Sequence, residues 1–138
     1  MISRALNIAC LLAFVAAVAA PPLQRKFVPA DFVTTEGARL KDGVIDDGVE
    51  AVANISILVT NDYTVRIAVE AVGESPVSIT LKIDGIAAHR FEAPAGAPTP
   101  EATVVHLPRG LHNLSLRSNG GAALLSCVEV IVKSPPPP

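Results

Sequence analysis

Apolar side chains recur at every second position along most of the chain from Asn54 to Val132, and that spacing restricts what the chain can build. A period of two puts one face of a strand against a core, whereas a helix needs a spacing of three to four. In segment 54–60, Ile55, Ile57 and Val59 alternate with Asn54, Ser56, Leu58 and Thr60. Segment 63–71 sets Tyr63, Val65, Ile67 and Val69 against Thr64, Arg66 and Glu70, and Val77, Ile79, Leu81 and Ile83 alternate with Ser78, Thr80, Lys82 and Asp84. Asp84-Gly85 is a type I′ hairpin signal leading into segment 86–92. Segments 102–107 and 111–118 flank Pro108-Arg109-Gly110 and read as a second hairpin. After the turn Asn119-Gly120-Gly121 comes a closing strand over 124–132, with Leu124, Ser126, Val128, Val130 and Val132 on one parity. Short strands at this spacing predict an all-β fold, a two-sheet antiparallel β-sandwich.

Ahead of this domain, Arg4 precedes an apolar run over 8–20, and Ala17-Val18-Ala19 suits signal peptidase. Residues 1–19 therefore read as a secretory signal peptide, cleaved after Ala19. The run breaks at Pro21-Pro22, short of the roughly 20 apolar residues of a membrane span, so the mature chain is expected to be extracellular with no span. Residues 20–32 read as an N-terminal linker, 33–132 as the domain, and 133–138, with its four closing prolines, as an extended spacer or the end of a fragment. Cys10 leaves with the signal. Cys127, inside the apolar run 124–132, is then expected to be a buried thiol packed as a small hydrophobe. A net charge of −2 without any block of Lys or Arg argues against a nucleic-acid partner.

The order of these pieces resembles the galactose-binding-like sandwich of the family 6 and family 35 carbohydrate-binding modules, over roughly residues 33–132. The resemblance is carried by Thr35-Glu36-Gly37-Ala38, by the aromatic-led strand Asp62-Tyr63-Thr64-Val65-Arg66-Ile67 and by Leu81-Lys82-Ile83-Asp84-Gly85. It continues through the segment from Leu107 to Leu116 and the closing strand Leu125-Ser126-Cys127-Val128-Glu129-Val130. It implies a jelly-roll sandwich that binds a glycan or polysaccharide through its loops. It also implies a structural calcium held by Glu36 and by an aspartate where this chain has Ser126, which lacks a charged oxygen. The resemblance also implies a tryptophan ahead of the strand corresponding to 103–107 and loop aromatics that stack on the sugar ring, and the chain has no Trp.

Sugar stacking needs a flat apolar face, and the aromatic candidates are Phe27, Phe32, Tyr63 and Phe91. Tyr63, opening a strand, reads as core. Phe91, beside His89 and Arg90, is taken as the exposed candidate, and with Asp46, Asp47 and Arg90 it forms the expected ligand site. The acidic group Asp42, Asp46, Asp47 and Glu50, with Gly43 and Gly48 permitting turns, departs from calcium-loop spacing and reads as a solvated loop. His106 and His112 lie symmetrically about Arg109, so a hairpin there would set them side by side, two ligands where zinc needs three or four. No nucleophile with a base or phosphate loop appears, and a carboxylate pair such as Asp84 and Glu92 is not singled out, so an enzyme is not expected. Asn54-Ile55-Ser56 and Asn113-Leu114-Ser115 are N-glycosylation acceptors in a chain read as secreted. The leading expectation is a secreted, non-catalytic glycan-binding module. The alternative is a structural or adhesive extracellular sandwich that binds protein and has lost sugar binding.

Overall fold

The computed structural model describes residues 23–133. Ten strands run through them in chain order: β1 (Leu23–Phe27), β2 (Val33–Thr34), β3 (Val44–Ile45), β4 (Glu50–Ile57) and β5 (Asn61–Ala71), then β6 (Val77–Ile83), β7 (Ile86–Ala93), β8 (Thr99–Leu107), β9 (Gly110–Asn119) and β10 (Ala123–Val132). The first sheet has the order β1-β10-β5-β8, with β3 also on β10, and the second has β2-β4-β9-β6-β7. Every named pairing is antiparallel. Their inward faces meet in one core that includes Val65 and Ile67 of β5, Ile79 and Leu81 of β6, and Leu114 and Leu116 of β9. Each such side chain, fully buried, contributes about 1.5–3 kcal/mol.

The expected sandwich is the one observed, and the hairpin at Asp84-Gly85 forms as the dipeptide requires. Both residues are left-handed, with φ of 53° and 80°, and Ile83 faces Ile86 across the turn. The expected hairpin at Pro108-Arg109-Gly110 is corrected. β8 pairs with β5 and β9 pairs with β4 and β6, so this turn is an arch from one sheet to the other. Residues 58–60 cross in the same way between β4 and β5. The two arches are joined where the Arg109 N–H donates to Thr60 Oγ1 at 2.7 Å, and the arch at 58–60 is tied to β5 where the Tyr63 hydroxyl donates to the Val59 carbonyl at 2.5 Å.

Three further expectations change. The segment 20–32, read as linker, supplies β1, which pairs with β10, and two core rings, Phe27 and Phe32, 5.9 Å apart. Ser126 interrupts the register of β10 against β5, because Leu125 faces Val69 and Cys127 faces Ala68. This bulge reverses the parity expected of the closing strand: Ala123 and Leu125 point into the core before it, Val128 and Val130 after it. Cys127 is buried beside Ala68 on the other face, and the described residues contain no free cysteine, so the uncommitted thiol expected there is not found. The expected signal peptide at 1–19 and the prolines at 135–138 lie outside the described residues.

Candidate functional site

One end of the sandwich carries a pocket of about 520 Å³ beside β2 and β3. Three turns make it. In the first, the Gly37 N–H donates to the Thr34 carbonyl at 2.8 Å, and Thr34 Oγ1 accepts the Ala38 N–H at 3.2 Å. In the second, Asp42 and Gly43 both adopt positive φ, 55° and 77°. Gly43 lies so close to β10 that a Cβ would stand 3.1 Å from the Leu125 carbonyl oxygen. In the third, Gly48 donates to the Ser118 carbonyl at 2.7 Å and Val49 to the Asp46 carbonyl at 3.0 Å. Leu40 and Val49, packed against the core, give the pocket an apolar floor.

Its rim is charged. Glu36, Arg39, Lys41, Asp42 and Asp46 are all exposed, and the ion pairs and side-chain hydrogen bonds among the described residues leave all five side chains uncommitted. Such a set offers both donors and acceptors to a polar ligand without first breaking internal contacts.

The expected ligand residues do not form one cluster. Asp46 lines the pocket, while Asp47 Oδ1 accepts the Gly120 N–H at 3.0 Å and serves the turn between β9 and β10. Arg90 lies on β7, three strands from β4, or about 14 Å at ordinary strand spacing, and its Nε donates to Ser78 Oγ at 2.8 Å. Phe91 is 7 % exposed and belongs to the core, which removes it as a stacking surface. The signal for this was present in the sequence: Phe91 shares the parity of Ala93, also buried, while its neighbours Arg90 and Glu92 point outward. Phe27, Phe32 and Tyr63 are buried as well, so no aromatic ring among the described residues is open to a sugar. Arg39 and Lys41, which nothing in their local pattern singled out, are the rim residues the sequence reading missed.

The residues present do not fit the calcium ion that the resemblance implies. No three His, Cys, Asp or Glu side chains converge among the described residues, Glu36 is exposed on its turn, and Ser126 is the bulge of β10. Glu50 is engaged elsewhere, 3.3 Å from Lys82 Nζ and accepting the Ser115 hydroxyl at 3.1 Å.

His106 and His112 lie in different sheets and do not meet, because the expected hairpin between them is an arch. His106 Nδ1 is 2.9 Å from Asp62 Oδ1, both exposed. His112 is 11 % exposed and held on both sides, its Nδ1 2.6 Å from Asp84 Oδ2 and its Nε2 2.6 Å from the Pro108 carbonyl. Both neighbours are acceptors, so the two contacts are satisfied together only when both ring nitrogens carry a proton, and the geometry favours the charged ring. The hydrogen bond to Asp84 and then that to Pro108 push the His112 pKa up, while His112 and then the Asn113 N–H hold that of Asp84 down. Asp84 sits in the hairpin turn and Glu92 opposite Ser78, about 20 Å apart along the strand, too far for a pair of catalytic carboxylates. No helix among the described residues is long and apolar enough to cross a membrane.

No family model matches the sequence, and no curated protein matches it. Solved structures do match the fold. A GH26-CBM35 β-(1,4)-mannanase of Podospora anserina is 19 % identical with a TM-score of 0.66, over 83 % of this chain and 28 % of that one. A carbohydrate-binding module of Cellvibrio mixtus lichenase 5A, in complex with cellotriose, is 18 % identical with a TM-score of 0.58, over 80 % of this chain and 98 % of that one. A family 35 carbohydrate-binding module of Clostridium thermocellum is 8 % identical with a TM-score of 0.60, over 79 % and 98 %. The chain has the β-sandwich fold of these modules, as the sequence resemblance implied. The two structures it covers almost whole are binding modules, whereas the match to the mannanase spans a minor part of that enzyme.

Proposed function

We propose that this chain is a secreted, non-catalytic module that binds a glycan in the pocket beside β2 and β3. The observation that carries the reading is the uncommitted rim of Glu36, Arg39, Lys41, Asp42 and Asp46 around an apolar floor, on a fold shared with carbohydrate-binding modules. Hydroxyl groups of a sugar are bonded by the rim side chains, and Leu40 and Val49 take the contact that an aromatic ring would otherwise supply. Asp46 stays in this site, whereas Asp47, Arg90 and Phe91 are given structural roles. Extracellular location is supported by the signal-like segment 1–19, whose cleavage N-terminal sequencing of the secreted protein tests directly.

The test is a polysaccharide and glycan-array screen of the secreted protein, with Arg39→Ala and Asp46→Ala as variants and both with and without calcium. Binding weakened at least tenfold by either variant, and indifferent to calcium, supports the reading. Binding unchanged in both would refute the pocket. A second reading, a structural or adhesive domain that binds protein, is favoured by the burial of Phe27, Phe32, Tyr63 and Phe91. A folded protein silent on every glycan decides for it.

A further inference from the structure

Asn54 and Asn113, the first residues of the two acceptor tripeptides, are direct partners in the pairing of β4 with β9. Both are exposed. Side chains paired in this way have Cβ atoms roughly 5 Å apart and point to the same face, so the two acceptors form a single spot on the outside of the second sheet. Two residues along, on the same face, Ser56 pairs with Leu111, and Leu58 follows directly after β4. Leu111 is 70 % exposed and Leu58 69 %. Alternate side chains on a strand stand about 7 Å apart, which sets Leu111 beside the first sugar on Asn113, while Leu58, four residues from Asn54, is about 14 Å along and within reach of the outer sugars. Grouped apolar side chains at a sheet end promote association of one molecule with another unless something covers them.

We propose that Asn54 and Asn113 form one N-glycan attachment site, and that the glycan covers the apolar end at Leu58 and Leu111. The inference rests on entry into the secretory pathway and is independent of the pocket, which lies at the opposite end of β4. The modification is transfer from a lipid-diphosphate oligosaccharide. A bond forms between the asparagine amide nitrogen and the sugar C1, the bond from C1 to the diphosphate oxygen breaks, and the amide proton is lost to the diphosphate side. The exposed amides of Asn54 and Asn113 hold the product outside the sheet.

The chain is expressed with its own N-terminus in a eukaryotic secretory host, and the folded product is treated with peptide N-glycosidase. Loss of mass, with Asn-to-Asp conversion at residue 54 or 113 in isotopically labelled water, is expected; no loss of mass overturns the site. Light scattering of the stripped protein and of an N54Q/N113Q variant then reads the cover. Both are expected to self-associate where the glycosylated protein is monomeric, and adding Leu58→Ser and Leu111→Ser to the variant restores the monomer. A glycan whose removal leaves the protein monomeric overturns the covering role while leaving the attachment site standing.

Discussion

His112 links three parts of one end of the sandwich, and its charge makes that link depend on pH. The ring donates to Asp84 Oδ2 in the turn between β6 and β7 and to the Pro108 carbonyl in the arch between β8 and β9, each at 2.6 Å. Asp84 Oδ1 accepts the Asn113 N–H at 2.8 Å. A hydrogen bond to a charged group contributes about 1.5–3 kcal/mol when shielded, and an exposed ion pair about 0.2–1 kcal/mol. His112 is 11 % exposed but Asp84 is 46 % exposed, so solvent screening brings the link down to about 1–2 kcal/mol. Because the folded pKa of His112 lies above its ordinary value of 6.5, this stability is fully present below that value and is lost as pH rises through the raised pKa. Asp84 acts at the other end: its pKa lies below the ordinary 3.8, so its share is present above that value and is lost as pH falls through the lowered pKa. The plateau therefore lies between the two. Urea unfolding of the wild type, His112→Gln, Asp84→Asn and the double variant, at pH 6 and pH 9, measures the link. Asn tolerates the left-handed backbone at this turn, so Asp84→Asn removes the charge and keeps the conformation. A coupling of about 1 kcal/mol at pH 6 that shrinks by pH 9 is expected. No coupling at pH 6, or a cost of His112→Gln equal at both pH values, refutes the imidazolium link.

Tyr63→Phe deletes the hydrogen bond to the Val59 carbonyl and is expected to cost about 1 kcal/mol, read as a lower urea midpoint with an unchanged slope. Gly121 has φ of 150°, and a Cβ there would stand 2.7 Å from Val77 Cγ1, so Gly121→Ala is expected to cost about 1–3 kcal/mol. A thermal midpoint equal to wild type would show that the turn rearranges freely. Leu116, fully buried between the sheets, is expected to lose about 2–5 kcal/mol as Leu116→Ala in equilibrium unfolding. Calcium at millimolar concentration is expected to leave the melting temperature unchanged, and a rise of several degrees would reveal a ligand set that Glu36 and Ser126 do not supply.

What the chain declares locally and what it settles only on folding divide along a physical line. Alternation of apolar and polar residues acts through neighbours two apart, so strands β5 and β6 and the core positions of Val65, Ile67, Ile79 and Leu81 were legible without any coordinates. Asp84-Gly85 was legible for the same reason, since two left-handed residues in succession are a demand of the backbone itself. Partner choice between strands is not local. Whether Pro108-Arg109-Gly110 closes a hairpin or arches between sheets depends on β8 finding β5 and β9 finding β4 and β6, contacts far apart in sequence. The same holds for β1, which is a strand because β10 lies beside it, and for the bulge at Ser126, which exists only against the register of β5. The candidate site follows this division. Asp46 and the turn glycines were visible as loop chemistry, but the turns that bring Arg39 and Lys41 beside Asp46 are set by contacts with β9 and β10. Phe91 went the other way, its parity marking it as core while its polar neighbours drew it toward the surface. The sequence by itself determined an all-β chain with its alternating core. The tertiary structure decided which strands meet, and with them where a pocket opens and which charges line it, because those depend on long-range pairing that no local pattern encodes.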